Sequence, residues 1–199
     1  MVQVSQPKRF RTGAILAIHA YNVLLIVPIF LALLAVSLMK LGIITVLLPA
    51  AAFVITAWFL PLGLGNPYVA RVVRSMHSVS QSNPGEFVVQ ITVYPRLRSG
   101  VRALVEDADD FGLLTCTDSE LVFRGDSLQL NIPYEQISQL HPHNVGVRGR
   151  FLYGRRIEMA ITGVPGAQVI EMAERSSWFL PGSKRIAREL FEQLSSHIR

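Results

Sequence analysis

The chain has 199 residues, of which 50% are apolar and 17% charged, and its formal net charge is +5 at pH 7. The charged fraction is below the roughly 25% that is usual for soluble domains, and the deficit is concentrated near the N-terminus. The single cysteine, Cys116, excludes an internal disulfide and fits a reducing compartment. This length predicts one modest domain, or a small domain joined to another element.

Two long apolar runs follow a basic tail at residues 1–12. The first run, residues 13–38, is longer than the roughly 20 residues that a helix needs to cross a bilayer core, and the second, residues 41–65, is nearly as long. A cleaved signal peptide is the alternative for the first run. That run is too long for the apolar part of a signal, and it leads almost directly into the second run. The pattern therefore predicts a transmembrane helical hairpin at residues 13–65.

Basic residues predict how this hairpin is oriented. They flank it on both sides, with Lys40 alone in its turn: Lys8, Arg9, Arg11, Arg71, Arg74. By the positive-inside rule, both termini would then face the cytoplasm. We expect a polar linker at residues 66–85 and a cytoplasmic domain at residues 86–199. The predicted location is the inner (cytoplasmic) membrane, crossed by two spans.

Two polar side chains, His19 and Asn22, interrupt the first apolar run. Polar groups at membrane depth usually face another helix or a buried ligand. We expect both side chains to take part in packing within the membrane. Ligation of a haem or a chlorophyll-type pigment by His19 is the alternative, and no cofactor is predicted.

An acidic stretch opens the C-terminal domain and ends in a tripeptide, Asp110-Phe111-Gly112, that holds magnesium in protein kinases. The glycine-rich loop, strand lysine and catalytic loop of a kinase are missing from the sequence. The acids, which include Glu106 and Asp107, also lack the spacing of a calcium loop. The stretch therefore predicts a solvated turn or short helix at residues 99–110 that enters a sheet. Incidental binding of a divalent cation is the alternative.

Short alternating segments bounded by Gly or Pro follow, and they predict antiparallel strands. We expect strands near residues 86–95, 112–117, 120–124 and 127–132, and three more between residues 137 and 174. The last segment places its apolar residues on one helical face: Ile186, Leu190, Phe191, Leu194, Ile198. The predicted fold class of this domain is α+β, a bent antiparallel sheet or small barrel capped by a C-terminal helix.

The segment GLLTCTDSELVFRGDSLQLNIPYEQISQL, residues 112–140, resembles the core of bacterial pleckstrin-homology-like and GRAM-type domains. The shared pattern is a strand ending in Leu-Thr, a small turn, a strand ending in aromatic-basic-Gly, and a strand with Pro-hydrophobic-x-x-Ile. The resemblance extends over residues 87–198 and includes no catalytic motif. It implies a pleckstrin-homology-like fold, which by itself says little about function.

Candidates for chemistry are few. His141 and His143 would share one face of a strand, as two ligands of a metal could, but Pro142 disrupts the ladder between them and no third ligand is near. Exposed histidines on an edge strand are the better interpretation. Cys116 has no neighbouring base and is expected to be a packing residue. No nucleophile elbow or nucleotide-binding loop occurs, so we do not expect an enzyme.

Clustered arginines are the predicted binding residues: Arg148, Arg150, Arg155, Arg156, Arg96, Arg98. Arginines at hairpin tips can hold a phosphate with paired hydrogen bonds, and a protein-docking face is the alternative. Nucleic acid is not an expected partner, because aromatic residues are few.

Together these features predict a non-enzymatic integral membrane protein. Its pleckstrin-homology-like module would bind membrane lipid headgroups or protein at the cytoplasmic face. The alternative is an accessory subunit of a larger membrane complex, whose hairpin packs against other integral membrane subunits and whose domain caps the cytoplasmic face.

Overall fold

A computed structural model of the chain describes residues 2–5, 9–11, 65–77, 85–95, 97, 108–143, 156–177 and 179–198, with single or paired positions between residues 13 and 51. Besides a 3-10 helix at Tyr134–Gln136, the described residues form eight strands and two α-helices, here numbered along the chain. They are β1 (Val2–Val4), α1 (Gly65–Met76), β2 (Glu86–Tyr94), β3 (Asp110–Cys116), β4 (Glu120–Gly125), β5 (Leu128–Pro133), β6 (Ile137–His143), β7 (Arg156–Ile161), β8 (Val169–Glu174) and α2 (Leu180–His197).

All eight strands belong to one antiparallel sheet with the order β1-β5-β4-β3-β2-β8-β7-β6. Strand β2 joins two meanders, because it pairs with β3 on one side and with β8 on the other. The N-terminal strand β1 extends the first meander by pairing with β5. The two edges of the sheet are therefore β1 and β6.

The main core lies between one face of the sheet and helix α2. Strand β5 shows the pattern expected of such a sheet, with its apolar residues buried and the polar residues between them exposed. Helix α2 contributes Leu190 and Leu194, which are spaced four residues apart and both fully buried in this core. The apolar face of the closing segment thus covers the sheet, and the basic residues of α2 remain exposed.

A second, smaller core lies on the opposite face of β2 and β3, beneath helix α1. The helix buries Val69 and Val73, again four residues apart, against Val88, Phe111 and further apolar side chains. Polar contacts hold the start of α1 beside the end of β8. The Asn66 amide N–H donates to the Ser177 carbonyl oxygen at 2.6 Å, and the Arg175 Nη1 donates to Asn66 Oδ1 at 3.4 Å. Helix α1 is therefore part of the folded domain.

The prediction of a membrane hairpin is corrected by these helices. Among the residues that the structure describes, no helix is long and apolar enough to cross a membrane. Helix α1 has 12 residues, or about 18 Å at 1.5 Å per residue, against a hydrocarbon core of about 30 Å. Helix α2 is longer, but charged side chains follow one another along it: Lys184, Arg185, Arg188, Glu189, Glu192.

A long apolar run is long enough to cross a membrane only if it forms one continuous apolar helix. No described segment forms such a helix. The transmembrane hairpin, the two-span location in the inner membrane, and both membrane-based functions are therefore wrong. This includes the lipid-binding module and the accessory subunit of a membrane complex. Most of residues 13–64, with His19 and Asn22, lies outside the described part of the chain.

Candidate functional site

The N-terminal segment, residues 2–5 and 9–10, docks on the edge of β5 and builds one side of the candidate site. In register, Val2 faces Leu130 and Gln3 faces Gln129 across the strand pair. The pairing continues beyond the strand, because the backbone N–H of Ser5 donates to the carbonyl oxygen of Ser127 at 2.7 Å. An extended segment of the chain thus binds to an edge that would otherwise expose backbone donors and acceptors.

Asp126 holds the same segment a few residues further on. Its Oδ2 accepts hydrogen bonds from the backbone N–H groups of Arg9 and Phe10, both at 2.8 Å. Hydrogen bonds to an ionised acceptor are about twice as strong as neutral ones. The Phe10 side chain is 1% exposed and packs in the second core with its ring centroid 5.0 Å from that of Phe111. Backbone bonds and one buried aromatic therefore anchor the N-terminal segment together.

The Asp110-Phe111-Gly112 tripeptide has a structural role that places Asp126. The Oδ2 of Asp110 accepts hydrogen bonds from the backbone N–H groups of Ser127 and Leu128, each at 2.7 Å, and so closes the turn between β4 and β5. Gly112 is required because a Cβ there would lie 2.3 Å from the carbonyl oxygen of Arg124 on the neighbouring strand. The Asp110 carboxylate, which resembles a kinase magnesium ligand in sequence, thus binds backbone N–H groups.

The acidic stretch is also less solvated than predicted. Asp109 and Asp110 are both buried, and the Oδ2 of Asp109 accepts a hydrogen bond from the backbone N–H of Val93 at 2.7 Å. Burying a carboxylate is costly unless hydrogen bonds compensate for the lost water, and these backbone donors do so. The expectation of a solvated turn is therefore wrong for these two residues. Glu106 and Asp107 lie outside the described residues.

A cavity of about 500 Å³ opens where the N-terminal segment, the end of α1 and the β4–β5 turn meet. We call it the junction pocket. Its lining is mainly polar: Gln3, Val4, Ser5, Arg9, Ser75, Met76, His77, Gly125, Asp126, Ser127, Gln129. Ligand sites of this size are usually more apolar, so this pocket suits a polar ligand better than a hydrophobic one.

Several polar groups in the junction pocket have no partner among the residues that the structure describes. Within the described part of the chain, neither the Arg9 guanidinium nor the amides of Gln3 and Gln129 make a hydrogen bond or ion pair. The Nε2 of His77 donates to the carbonyl oxygen of Arg124 at 2.9 Å, since a carbonyl can only accept. Asp126 completes the set with a carboxylate whose Oδ2 is already bonded to the backbone. The pocket therefore presents one cation, one carboxylate and two amides.

In the described part of the chain, the hydroxyls of two pocket serines, Ser5 and Ser75, are bonded to backbone carbonyls and not to a base. The hydroxyl of Ser75 donates to the carbonyl oxygen of Val72 at 2.7 Å, and that of Ser5 donates to the carbonyl oxygen of Ser127 at 3.3 Å. A nucleophilic serine would instead be bonded to a base such as His77. Among the described residues, no group of three His, Cys, Asp or Glu side chains is placed to hold a metal ion.

The arginines predicted to bind a ligand do not form part of this site. Arg156 is 2% exposed, and its Nη1 donates to Glu171 Oε2 at 3.1 Å on the neighbouring strand. Its guanidinium is thus held inside the protein by a carboxylate, where it cannot reach an external phosphate. The other predicted arginines lie outside the described residues: Arg148, Arg150, Arg155, Arg96, Arg98.

His141 and His143 lie on the edge strand β6, opposite Glu158 and Arg156 in register, and His141 is exposed. Cys116 is partly buried on β3, and this burial raises the pKa of its thiol to about 11, although a hydrogen bond with Tyr134 partly offsets the shift. At neutral pH the thiol is therefore protonated and a poor nucleophile, as expected of a packing residue.

Sequence reasoning missed the residues that build the junction pocket. Arg9 was interpreted as a charge flanking a membrane span, and Asp126 fell between two predicted strands without being singled out. One signal was available for α1: Val69, Val73 and Met76 are spaced as on one face of a helix. The docking of β1 on β5 had no such signal, because three residues are too few to show an alternating pattern.

Comparison with known proteins finds no family model that matches the chain and no curated protein that matches it.

Proposed function

We propose that this chain is a non-enzymatic polypeptide-binding protein built on a pleckstrin-homology-like domain. Its binding site is the edge of β5 together with Asp126 and the aromatic site that holds Phe10. The observation that carries the proposal is the docking of the chain's own N-terminal segment at this edge. The segment occupies the site as an intramolecular ligand, and an extended segment of a partner protein would replace it. The proposal involves neither a lipid nor a membrane span.

The β5 edge has the features of a strand-addition site. Added strands gain affinity from backbone hydrogen bonds, and side-chain pockets supply specificity. Strand β1 covers only residues 128–130 of β5, which continues to Pro133. The ladder with β1 is therefore short, and a partner strand needs to form only a few backbone bonds to replace it.

Specificity would come mainly from the aromatic site. The bonds from Asp126 reach backbone N–H groups, which every residue except proline offers. The buried Phe10, in contrast, fills a space lined by Phe111, Val69 and Val73. Full burial of a phenylalanine side chain stabilises by roughly 1.5–3 kcal/mol. The favoured ligand is a short extended strand followed, six residues later, by an aromatic residue, as Val4 is followed by Phe10.

Two further observations support the proposal. The antiparallel sheet covered by α2 is what the resemblance to pleckstrin-homology-like domains leads one to expect, a sheet capped by a C-terminal helix. The hydroxyls of Ser5 and Ser75 donate to backbone carbonyls, which fits a binding role better than catalysis.

The test uses the full chain and a fluorescent peptide with the sequence of residues 1–11. In the parent chain the tethered segment competes at an effective concentration on the order of millimolar, so micromolar peptide should not bind. In the Phe10→Ala variant the tethered segment is weakened, and fluorescence anisotropy should report saturable binding of the peptide. A Ser5→Pro variant should behave in the same way, because proline lacks the backbone N–H that Ser5 donates to the Ser127 carbonyl oxygen.

The matched control is the same peptide with alanine in place of Phe10, which should bind at least tenfold more weakly. The proposal fails if the parent-sequence peptide binds neither folded variant, or if the control peptide binds as well as the parent peptide. Far-UV circular dichroism shows whether both variants keep the fold of the parent chain.

A further inference from the structure

The junction pocket places two opposite charges around one cavity without joining them. Arg9 lies on the N-terminal segment and Asp126 at the β4–β5 turn, and both line the pocket. Within the described part of the chain they form no ion pair with each other or with any other residue. A cation and a carboxylate that share a cavity and remain unpaired can each bind a group of opposite charge on one ligand.

The Gln3 and Gln129 amides add neutral donors and acceptors to the same wall. The two residues face each other in the pairing of β1 with β5, so their side chains extend to the same side of the strand pair. Each amide offers one acceptor and two donors. These amides suit a ligand that carries a polar group, such as a peptide bond, between its charged ends.

We propose that the junction pocket binds a small zwitterion of the amino-acid or dipeptide class. The Arg9 guanidinium binds the ligand's carboxylate, and Asp126 binds its ammonium group. The amides of Gln3 and Gln129 bind the polar atoms between these ends. A simple anion fits less well, because it would gain Arg9 but would also face the carboxylate of Asp126. A simple cation would gain Asp126 but would also face the guanidinium of Arg9.

The ligand would also stabilise the docked N-terminal segment. Gln3 and Arg9 come from that segment, whereas His77, Asp126 and Gln129 come from the rest of the domain, so the complete pocket exists only when the segment is docked. A ligand that binds only the docked state shifts the equilibrium toward it in proportion to its concentration. The zwitterion would then oppose displacement of the segment by a partner strand.

Isothermal titration calorimetry of the parent chain tests this inference with three named probes. We expect glycylglycine to bind with a measurable dissociation constant, and we expect acetate and methylammonium to bind at least tenfold more weakly. Arg9→Gln should weaken glycylglycine at least tenfold, because a charge-assisted contact is lost while the backbone N–H that Asp126 holds is retained. Arg185→Gln is the matched control, since this arginine is exposed on α2 and far along the chain from the pocket.

Absence of glycylglycine binding at millimolar concentration would overturn the inference, as would equal binding of acetate or an unchanged affinity in the Arg9→Gln variant. The inference extends beyond the proposed function and can fail separately from it. The calorimetry uses the parent chain with its own segment docked, whereas the peptide experiment needs no zwitterion. If the peptide binds the Phe10→Ala chain but glycylglycine does not bind the parent chain, the first proposal is retained and the second is lost.

Discussion

Replacing Asp110 by asparagine tests the claim that this carboxylate organises the turn on which the site depends. Asp110 is 2% exposed, and one of its oxygens accepts two backbone hydrogen bonds from the β4–β5 turn. Asparagine has the same shape, but it lacks the charge and has only one acceptor oxygen. At least one buried bond is then lost, either at Ser127 and Leu128 or at the backbone N–H of Phe111, which donates to the other oxygen at 2.9 Å.

The expected cost follows from these bonds. A buried donor that loses its acceptor costs about 1–3 kcal/mol, and loss of the charge weakens the bonds that remain. We therefore expect Asp110→Asn to lower the free energy of unfolding by about 2–4 kcal/mol. With a urea dependence of roughly 1–3 kcal/mol per molar, the unfolding midpoint should fall by about 1 M or more.

Urea unfolding of the full chain, followed by circular dichroism, measures this shift. Asp118→Asn is the matched control, because Asp118 is exposed at the β3–β4 turn and its replacement should change stability by no more than about 0.5 kcal/mol. If Asp110→Asn unfolds at the same urea concentration as Asp118→Asn, the carboxylate does not hold the turn and the reasoning is refuted.

Two further predictions concern the main core and the cysteine. In the same urea assay, Leu190→Asp should lower the free energy of unfolding by at least about 3 kcal/mol, because it would bury a charge without a partner between α2 and the sheet. An unfolding midpoint equal to that of the parent chain would show that α2 does not cover the core. At pH 8, iodoacetamide should label Cys116 far more slowly in the folded chain than in chain unfolded in urea, because only the thiolate reacts and burial raises the pKa of the thiol. The labelling rate of the folded chain should rise about tenfold per pH unit up to the pKa near 11. Fast labelling of the folded chain at pH 8 would contradict the raised pKa.

The sequence predicted the C-terminal sheet and α2 well, because their signals are local. Strands such as β5 alternate buried and exposed residues, and the apolar residues of α2 recur at helical spacing. The same reasoning could not detect the pairing of Val2 with Leu130, because it joins residues far apart in the chain and involves only three residues of β1.

Charged residues and apolar runs were misinterpreted where sequence alone did not show what surrounds them in the fold. Arg156 was counted with exposed arginines because its sequence neighbours are basic, but its partner Glu171 is 15 residues away on the next strand. Asp109 and Asp110 were expected to be solvated, yet both accept hydrogen bonds from backbone N–H groups inside the fold. The apolar runs met the length condition for membrane spans, but no helix in the described part of the chain is long and apolar enough to cross a membrane.

The central claim is that the β5 edge accepts an extended segment in a defined register, and a disulfide between residues 3 and 129 tests it most directly. Gln3 and Gln129 are directly opposed, so their Cα atoms should lie about 4.5–5.5 Å apart, within the range that a disulfide spans. The experiment uses the full chain with Gln3→Cys and Gln129→Cys in a Cys116→Ser background. The control pairs Gln3→Cys with Ser138→Cys on β6, at the opposite edge of the sheet.

Mild oxidation should join residues 3 and 129 nearly completely within one chain, as peptide mapping after proteolysis would show. When Ser5→Pro is added to the pair, an excess of the peptide of residues 1–11 should lower the yield, because the peptide then competes for the edge. The control pair should remain reduced. If residues 3 and 129 do not form a disulfide, or if residues 3 and 138 do so equally well, the N-terminal segment does not dock on β5 and the account is contradicted.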